Sequence, residues 1–290
     1  MYKLYKVIYF EKTFNKALIL LFVLFIIIGG VIDLFFFYET DLSRLDREQE
    51  VSSEVSNIHS HYNLNGDNIK IAVIDSGISK NHKDLSDNII GGKDFINGLD
   101  STVDKYGHGT QVAGIIAAED NSIGVLGVAP QAKIYSLVVL NEEGKGKIED
   151  VCQAIKWCIE NKMDIINISF STKKDSDDLR NIIDKAVNKG ILVIACYNNN
   201  DQSRSFPAEY NNVIGVKSSD DKSIAYKDGV CYAPETNILT TSKEGDYEYI
   251  NGNSMATAYI SGLAGLVKQD YLNKDIPFNY DSFQQVLIKW

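Results

Sequence analysis

Three short stretches of this chain set a carboxylate, an imidazole and a hydroxyl in surroundings that suit chemistry. Ile71-Ala72-Val73-Ile74-Asp75 is an apolar run ending in a carboxylate, Gly107-His108-Gly109-Thr110 brackets an imidazole with glycines, and Gly252-Asn253-Ser254-Met255-Ala256 sets a hydroxyl at the head of an apolar stretch. A serine hydroxyl is a weak nucleophile at neutral pH and needs a base within hydrogen-bond reach. His108 has the chemistry to take the Ser254 proton and return it to a leaving amine. Asp75 has the charge to fix the imidazole tautomer and stabilise the imidazolium. Such a triad is recognised by roles and geometry, so wide separation along the chain does not count against it. His59, His61 and His82 have no such company and read as surface histidines. His59-x-His61 lacks the third ligand of a metal site.

The elements that must position these groups alternate along the chain. Strand-like runs occur at 69–74, 132–140, 164–169, 191–196 and 213–216, with helix-like patterns at about 109–118, 148–161, 177–189 and 255–270. In the third helix pattern Leu179, Ile182, Ile183, Ala186 and Val187 form one face, and Gly190 suits a C-terminal stop. Strands that are apolar throughout, separated by amphipathic helices, indicate a doubly wound, mostly parallel sheet with helices on both faces. Asp75 would then lie at the carboxyl end of a buried strand, where open α/β sheets place their sites. His108 would sit just ahead of an apolar helix, and Ser254 at the start of another.

The order Asp, His, Ser is that of the subtilisins, and the chain resembles the subtilase family over about residues 68–269. Asn121-Ser122-Ile123-Gly124-Val125-Leu126-Gly127-Val128-Ala129-Pro130 matches the family's loop after the histidine helix, and Asp164-Ile165-Ile166-Asn167-Ile168-Ser169 resembles its substrate-edge strand. The resemblance implies a subtilisin-like fold and serine endopeptidase activity with Asp75, His108 and Ser254 as the triad. It places Asn199 in the oxyanion hole, with Asn198 the alternative one register away. Substrate-binding edges are implied at Gly144-Lys145-Gly146 and Ser169-Phe170-Ser171, with Ala208 lining the specificity pocket. Structural calcium is implied at Asp84, Asn121 and the carbonyls of Glu119, Ile123 and Val125, the alternative being a loop held by hydrogen bonds alone; an N-terminal ligand is not located. The chain departs from the family pattern at Ser171, Asn198 and Glu235, where glycine is usual, at Asn253 for threonine, and at Ala258 for proline. The departures next to the nucleophile remove no catalytic group. Secreted subtilases carry a prodomain of several dozen residues, and the polar stretch before residue 68 leaves no room for one.

The 290 residues suit one large domain with a short extension. The formal charge is −10; the first 38 residues hold four lysines against Glu11 and Asp33, so the remainder carries −12. That acidity argues against nucleic acid as a partner. Cys152, Cys158, Cys196 and Cys231 show no metal-ligand spacing and read as buried thiols rather than disulfides.

The N-terminus divides into a basic segment (1–16), an apolar segment (17–38) interrupted by Asp33, and a polar stretch (39–67) that reads as a tether plus a first surface helix; the catalytic domain follows at 68–290. As a helix, 17–38 would span roughly 33 Å, enough for a bilayer core. A cleaved signal peptide is the alternative, though no small-x-small site follows the apolar run. Lys3, Lys6, Lys12 and Lys16 precede it, whereas Arg44 and Arg47 follow among acidic residues, so the charge bias favours a single-pass membrane protein with its catalytic domain outside the cell. The expected partner is a peptide or protein bound as an added strand, with processing of a dedicated secreted precursor one such use. Two other readings use the same residues: a catalytically silent subtilase acting as a docking module, and an esterase or amidase.

Overall fold

The apolar run ending at Asp75 forms a central strand of the sheet. The computed structural model describes residues 44–46, 48–199, 204–221, 223–234 and 238–290. Residues 47–290 form one compact unit and residues 1–46 another, of which only the short 3-10 turn Arg44–Asp46 is described. The expected basic and apolar segments at 1–16 and 17–38 lie outside the described residues, as do most of loop 200–204 and Glu235. Among the described residues no helix is long and apolar enough to cross a membrane.

The compact unit opens with β1 (Gln49–Glu50) and α1 (Ser53–His61). Ser52 caps α1 by accepting the Val55 N–H at 3.1 Å. The central strands are β2 (Lys70–Asp75), β3 (Ile89–Asp94), β5 (Lys133–Val138), β6 (Ile165–Ile168), β7 (Leu192–Cys196) and β8 (Val213–Ser219). The short β4 (Gly124–Val125) pairs with β1. With β9 (Ala225–Lys227) and β10 (Val230–Pro234), the main sheet runs in the order β3-β5-β2-β6-β7-β8-β10-β9. All neighbours are parallel except the edge pair β9–β10. A separate hairpin joins β11 (Ile238–Thr241) to β12 (Tyr247–Ile250).

Both faces of the sheet are covered, and β2 shows why its sequence is apolar throughout. Ile71 and Val73 point into one core with α1, α2 (His108–Ala117), α5 (Asn253–Asn273) and α6 (Tyr280–Lys289). Ala72 and Ile74 point into the other, under α3 (Ile148–Glu160) and α4 (Asp177–Val187). Alternate side chains thus serve opposite cores, leaving no solvated face to be polar. Helix α5 is buried on nearly all sides from Met255 to Val267, and its sequence is accordingly apolar and small all round. All four cysteines are free thiols, and three of them are buried. The expected strands and helices match those observed to within about three residues at each end. The sequence pattern missed α1's buried contacts, β3, the β9–β12 region and α6. The glycines of β3 and the brevity of β9–β12 give little periodicity to read.

Candidate active site

Asp75 closes β2 at the carboxyl edge of the sheet, flanked by β5 and β6, the point at which the chain crosses from one side of β2 to the other. Its side chain is fully buried. Oδ1 and Oδ2 lie 2.8 and 2.9 Å from His108 Nδ1, and Oδ1 also accepts the Ser76 N–H at 2.8 Å. Nδ1 therefore carries the ring proton, which leaves Nε2 as the basic nitrogen. Burial pushes the imidazole pKa down. The charge and hydrogen bonding of Asp75, with a further contribution from the charge of Asp104, outweigh it and hold His108 above the ordinary histidine value.

His108 is the first residue of α2, and its position depends on the glycines around it. Gly107 adopts φ 111°, and a Cβ on Gly109 would lie 2.1 Å from the Gly77 carbonyl oxygen. No side chain at the cap position closes this helix end. Asp104 does so from upstream: Oδ1 accepts the N–H groups of Tyr106 and Gly107 at 3.1 and 2.7 Å, and Oδ2 accepts Thr110 N–H and Oγ1–H at 2.9 and 2.6 Å. Ser76 donates to Asp104 Oδ1 at 2.8 Å and accepts the Gly109 N–H at 3.0 Å. These groups satisfy the orphan donors of the first turn and bring a negative charge to the positive helix end. The sequence reading missed Asp104; its one available signal was an acidic residue just ahead of a helix start.

Ser254 is the second residue of α5, after Gly252 at φ 124°. Its hydroxyl donates to the Ser169 carbonyl at 2.7 Å, and Ser169 Oγ donates back to the Ser254 carbonyl at 3.1 Å. The nucleophile candidate is thereby tied to the end of β6, one of the expected substrate edges. Catalytic hydrogen bonds commonly form or tighten only once substrate is present. The backbone N–H of Ser254 lies in the first turn of α5, where no intrahelical acceptor exists. The buried Cys196 thiol, the last residue of β7, hydrogen-bonds Ser254. Burial drives its pKa up to about 12 against the pull of that contact, so it stays a neutral thiol rather than a rival nucleophile.

Asn199 Oδ1 accepts the Asn253 N–H at 3.3 Å, bringing its amide to the start of α5. Asn198 instead uses its backbone N–H on Ser205 Oγ at 2.9 Å. The expected substrate edges flank a cavity of about 270 Å³ that includes Gly144, Lys145, Gly146, Phe170 and Ser171, with an apolar wall of Leu140, Ile148, Val151, Leu179 and Phe206. Gly146 and Thr172 make isolated antiparallel bridges to Leu140 and Phe206. Ala208, after the cis Phe206–Pro207 bond, is buried and does not line this cavity.

The residues of the expected cation loop also meet. Asp84 is fully buried; Oδ2 accepts the Val125 N–H at 2.8 Å, while Oδ1 has no hydrogen-bond partner among the described residues. Burial, with the charge of Glu119, drives its carboxyl pKa up to about 7 against the opposing pull of the Val125 N–H and of the Asn121 and Tyr247 side chains. Asn121 Oδ1 accepts the Ile123 N–H at 3.1 Å. Gln49, unplaced by the sequence reading, reaches from β1 to donate to the Glu119 and Val125 carbonyls at 2.6 and 3.2 Å. A buried carboxylate oxygen lacking a partner, amid carbonyl and amide oxygens, fits a hard cation. His82 corrects an expectation: it is buried, not on the surface, with Nε2 donating to the Asp246 carbonyl at 2.9 Å and Nδ1 accepting the Asp84 N–H at 3.1 Å. Both nitrogens find backbone partners, one two residues away and one on the β11–β12 hairpin, which lets the ring enter the interior.

A family model described as "Subtilase family" matches residues 66–289. The chain is a subtilase. It is 42% identical over 213 residues to Subtilisin BL of Lederbergia lenta, covering 71% of this chain and 78% of that one. It is 41% identical over 213 residues to M-protease of Shouchella clausii, covering 71% of this chain and 55% of that one. It is 40% identical over 214 residues to Minor extracellular protease Epr of Bacillus subtilis, covering 71% and 33%. Like its family, this subtilase is a serine endopeptidase built on a mostly parallel α/β sheet.

Proposed function

We propose that this subtilase cleaves peptide bonds with Ser254 as nucleophile, His108 as general base and acid, and Asp75 as the group that orients and stabilises the imidazole. The observation that carries this reading is the pair of Asp75 oxygens on His108 Nδ1, which leaves Nε2 basic. Ser254 Oγ attacks the scissile carbonyl carbon as its proton passes to Nε2. The tetrahedral oxyanion is held by the Ser254 N–H and the Asn199 side-chain amide. The C–N bond breaks, His108 protonates the leaving amine, and an acyl-enzyme remains. Water then attacks the acyl carbon, gives its proton to His108, and expels Ser254, which recovers its proton.

Substrate binds as an extended strand between residues 144–146 and 169–171, so backbone pairing supplies affinity and side-chain pockets supply preference. The apolar wall of the 270 Å³ cavity suits an aliphatic or aromatic side chain upstream of the scissile bond. A peptide library and an ester panel test the reaction class. Cleavage of peptides enriched in such a residue supports the reading; turnover of esters alone, or of neither set, rejects it.

Calcium is proposed at Asp84, Asn121 and the carbonyls of Glu119, Ile123 and Val125; the Gln49 amide, which donates its N–H to two of those carbonyls, would turn over to offer its oxygen as a sixth ligand. Bound there, the ion would supply the charge that the lone Asp84 oxygen lacks. The four lysines ahead of the apolar segment support a membrane tether with the catalytic domain outside. The full-length chain then stays with membranes after alkaline carbonate washing. A carbonate-soluble product beginning near residue 40 would show signal cleavage and secretion instead.

A further inference from the structure

We infer that Asn253, immediately before the nucleophile, is a positioning residue that sets the oxyanion donor Asn199. The inference rests on the proposed role of Asn199. Asn253 is only 6% exposed, and its amide joins three elements. Nδ2 donates to the Tyr197 carbonyl at 2.9 Å, two residues before Asn199 where the chain leaves β7. Oδ1 accepts both the backbone N–H and the hydroxyl of Ser218 on β8, each at 2.7 Å. Its own backbone N–H, in the first turn of α5, donates to Asn199 Oδ1 at 3.3 Å. That last bond decides which way the Asn199 amide faces: with Oδ1 engaged at the helix start, Nδ2 remains as the donor end. The Asn199 side chain packs over Gly252, whose missing Cβ would lie 3.8 Å from Nδ2.

Asn253 commits its amide oxygen to Ser218 and an amide N–H to Tyr197. Both lone-pair directions of its oxygen are thereby occupied. It acts by locking the chain entering Asn199 to the helix that carries Ser254, so the two oxyanion donors hold a fixed separation. Preorganised donors stabilise the transition state because they need no rearrangement as charge develops. A small displacement of such a group costs up to roughly a hundredfold in rate. A residue with a shorter side chain than asparagine cannot span from α5 to both Tyr197 and Ser218.

A double-mutant cycle on purified full-length protein tests this, with kcat and KM measured on one peptide substrate. Asn199→Ala alone should lower kcat by roughly 10²–10³ with little change in KM. Asn253→Ala alone should lower kcat by roughly tenfold to a hundredfold, again with KM nearly unchanged. In the Asn199→Ala background, Asn253→Ala should cost almost nothing further, because the group it positions is gone. Asn253→Asp keeps the acceptor for Ser218 but loses the donor to Tyr197, and should reproduce the kcat loss if Asn253→Ala fails to fold. Equal losses from Asn253→Ala in both backgrounds, or a rise in KM alone, would overturn the inference. If Asn199→Ala itself leaves kcat unchanged, the oxyanion assignment fails, a result separate from the other two.

Discussion

Asp75 and Asp84 are both fully buried carboxylates on the same compact unit, and the structure treats their charges differently. Asp75 has donors on both oxygens: His108 spans the pair, and the Ser76 N–H reaches one. Asp84 has the Val125 N–H on one oxygen and nothing on the other among the described residues, and burial pushes its pKa up to about 7. A buried charge is tolerated only where paired and hydrogen-bonded. At Asp75 the protein supplies the pairing and turns it to use by fixing a tautomer. At Asp84 the Val125 N–H and the nearby Asn121 and Tyr247 side chains do not offset the burial, and calcium is the ion proposed to complete the pairing.

The largest expected effect removes the group that the Asp75 pair serves. Ser254→Ala should lower kcat by about 10⁶, the size expected for loss of the proposed nucleophile, with the melting temperature nearly unchanged. A fluorophosphonate should label the wild type and not this variant; equal labelling would place the reactive serine elsewhere. Asp75→Asn comes next, at about 10⁴ in kcat, because an amide no longer enforces the productive tautomer. It should also move the acid limb of the kcat/KM profile. The base must be neutral, so activity is lost as pH falls through the His108 pKa, which Asp75 holds above the ordinary value. Removing that charge shifts the limb to lower pH, and an unmoved limb would mean that Asp75 does not govern His108.

The other half of the comparison is read in stability. With calcium at about 100 times its Kd, selective binding adds about 2.7 kcal/mol, or roughly 5–10 °C in melting temperature for a domain of this size. Chelator should remove that gain from the wild type, and Asp84→Asn should show neither the gain nor the loss. Its kcat should stay near wild type. A chelator-insensitive wild type would mean that the loop is held by hydrogen bonds alone. The smallest effect is expected from Gln49→Ala, which removes one proposed ligand oxygen out of six. Isothermal titration should show calcium binding about tenfold weaker, and unchanged affinity would remove Gln49 from the site.

The two regions were not equally legible in the sequence. Asp75, His108 and Ser254 stand at element boundaries that apolar periodicity and glycines mark locally, and it is the three together, in that order, that made them legible as a site. Asp104 carries no such mark. Its work lies in five hydrogen bonds to backbone and hydroxyl groups around the start of α2, and a carboxylate in a polar loop looks like any solvated one. Gln49 was hidden for a different reason. It meets Glu119 and Val125 only because β1 adds to β4, a two-residue ladder too short to leave a pattern. His82 was misread because its burial depends on the Asp246 carbonyl, which a distant hairpin provides.

The sequence by itself determined the fold class, since uninterrupted apolar strands between amphipathic helices require a sheet covered on both faces, and it identified the residue types with reactive side chains. Tertiary structure alone decided which carboxylate is satisfied and which is left with an open oxygen, and that Asn253 spans from α5 to Tyr197 and Ser218. Periodicity reports which face of an element is buried. It carries nothing about which donors and acceptors, brought together from distant segments, complete one another's hydrogen bonds.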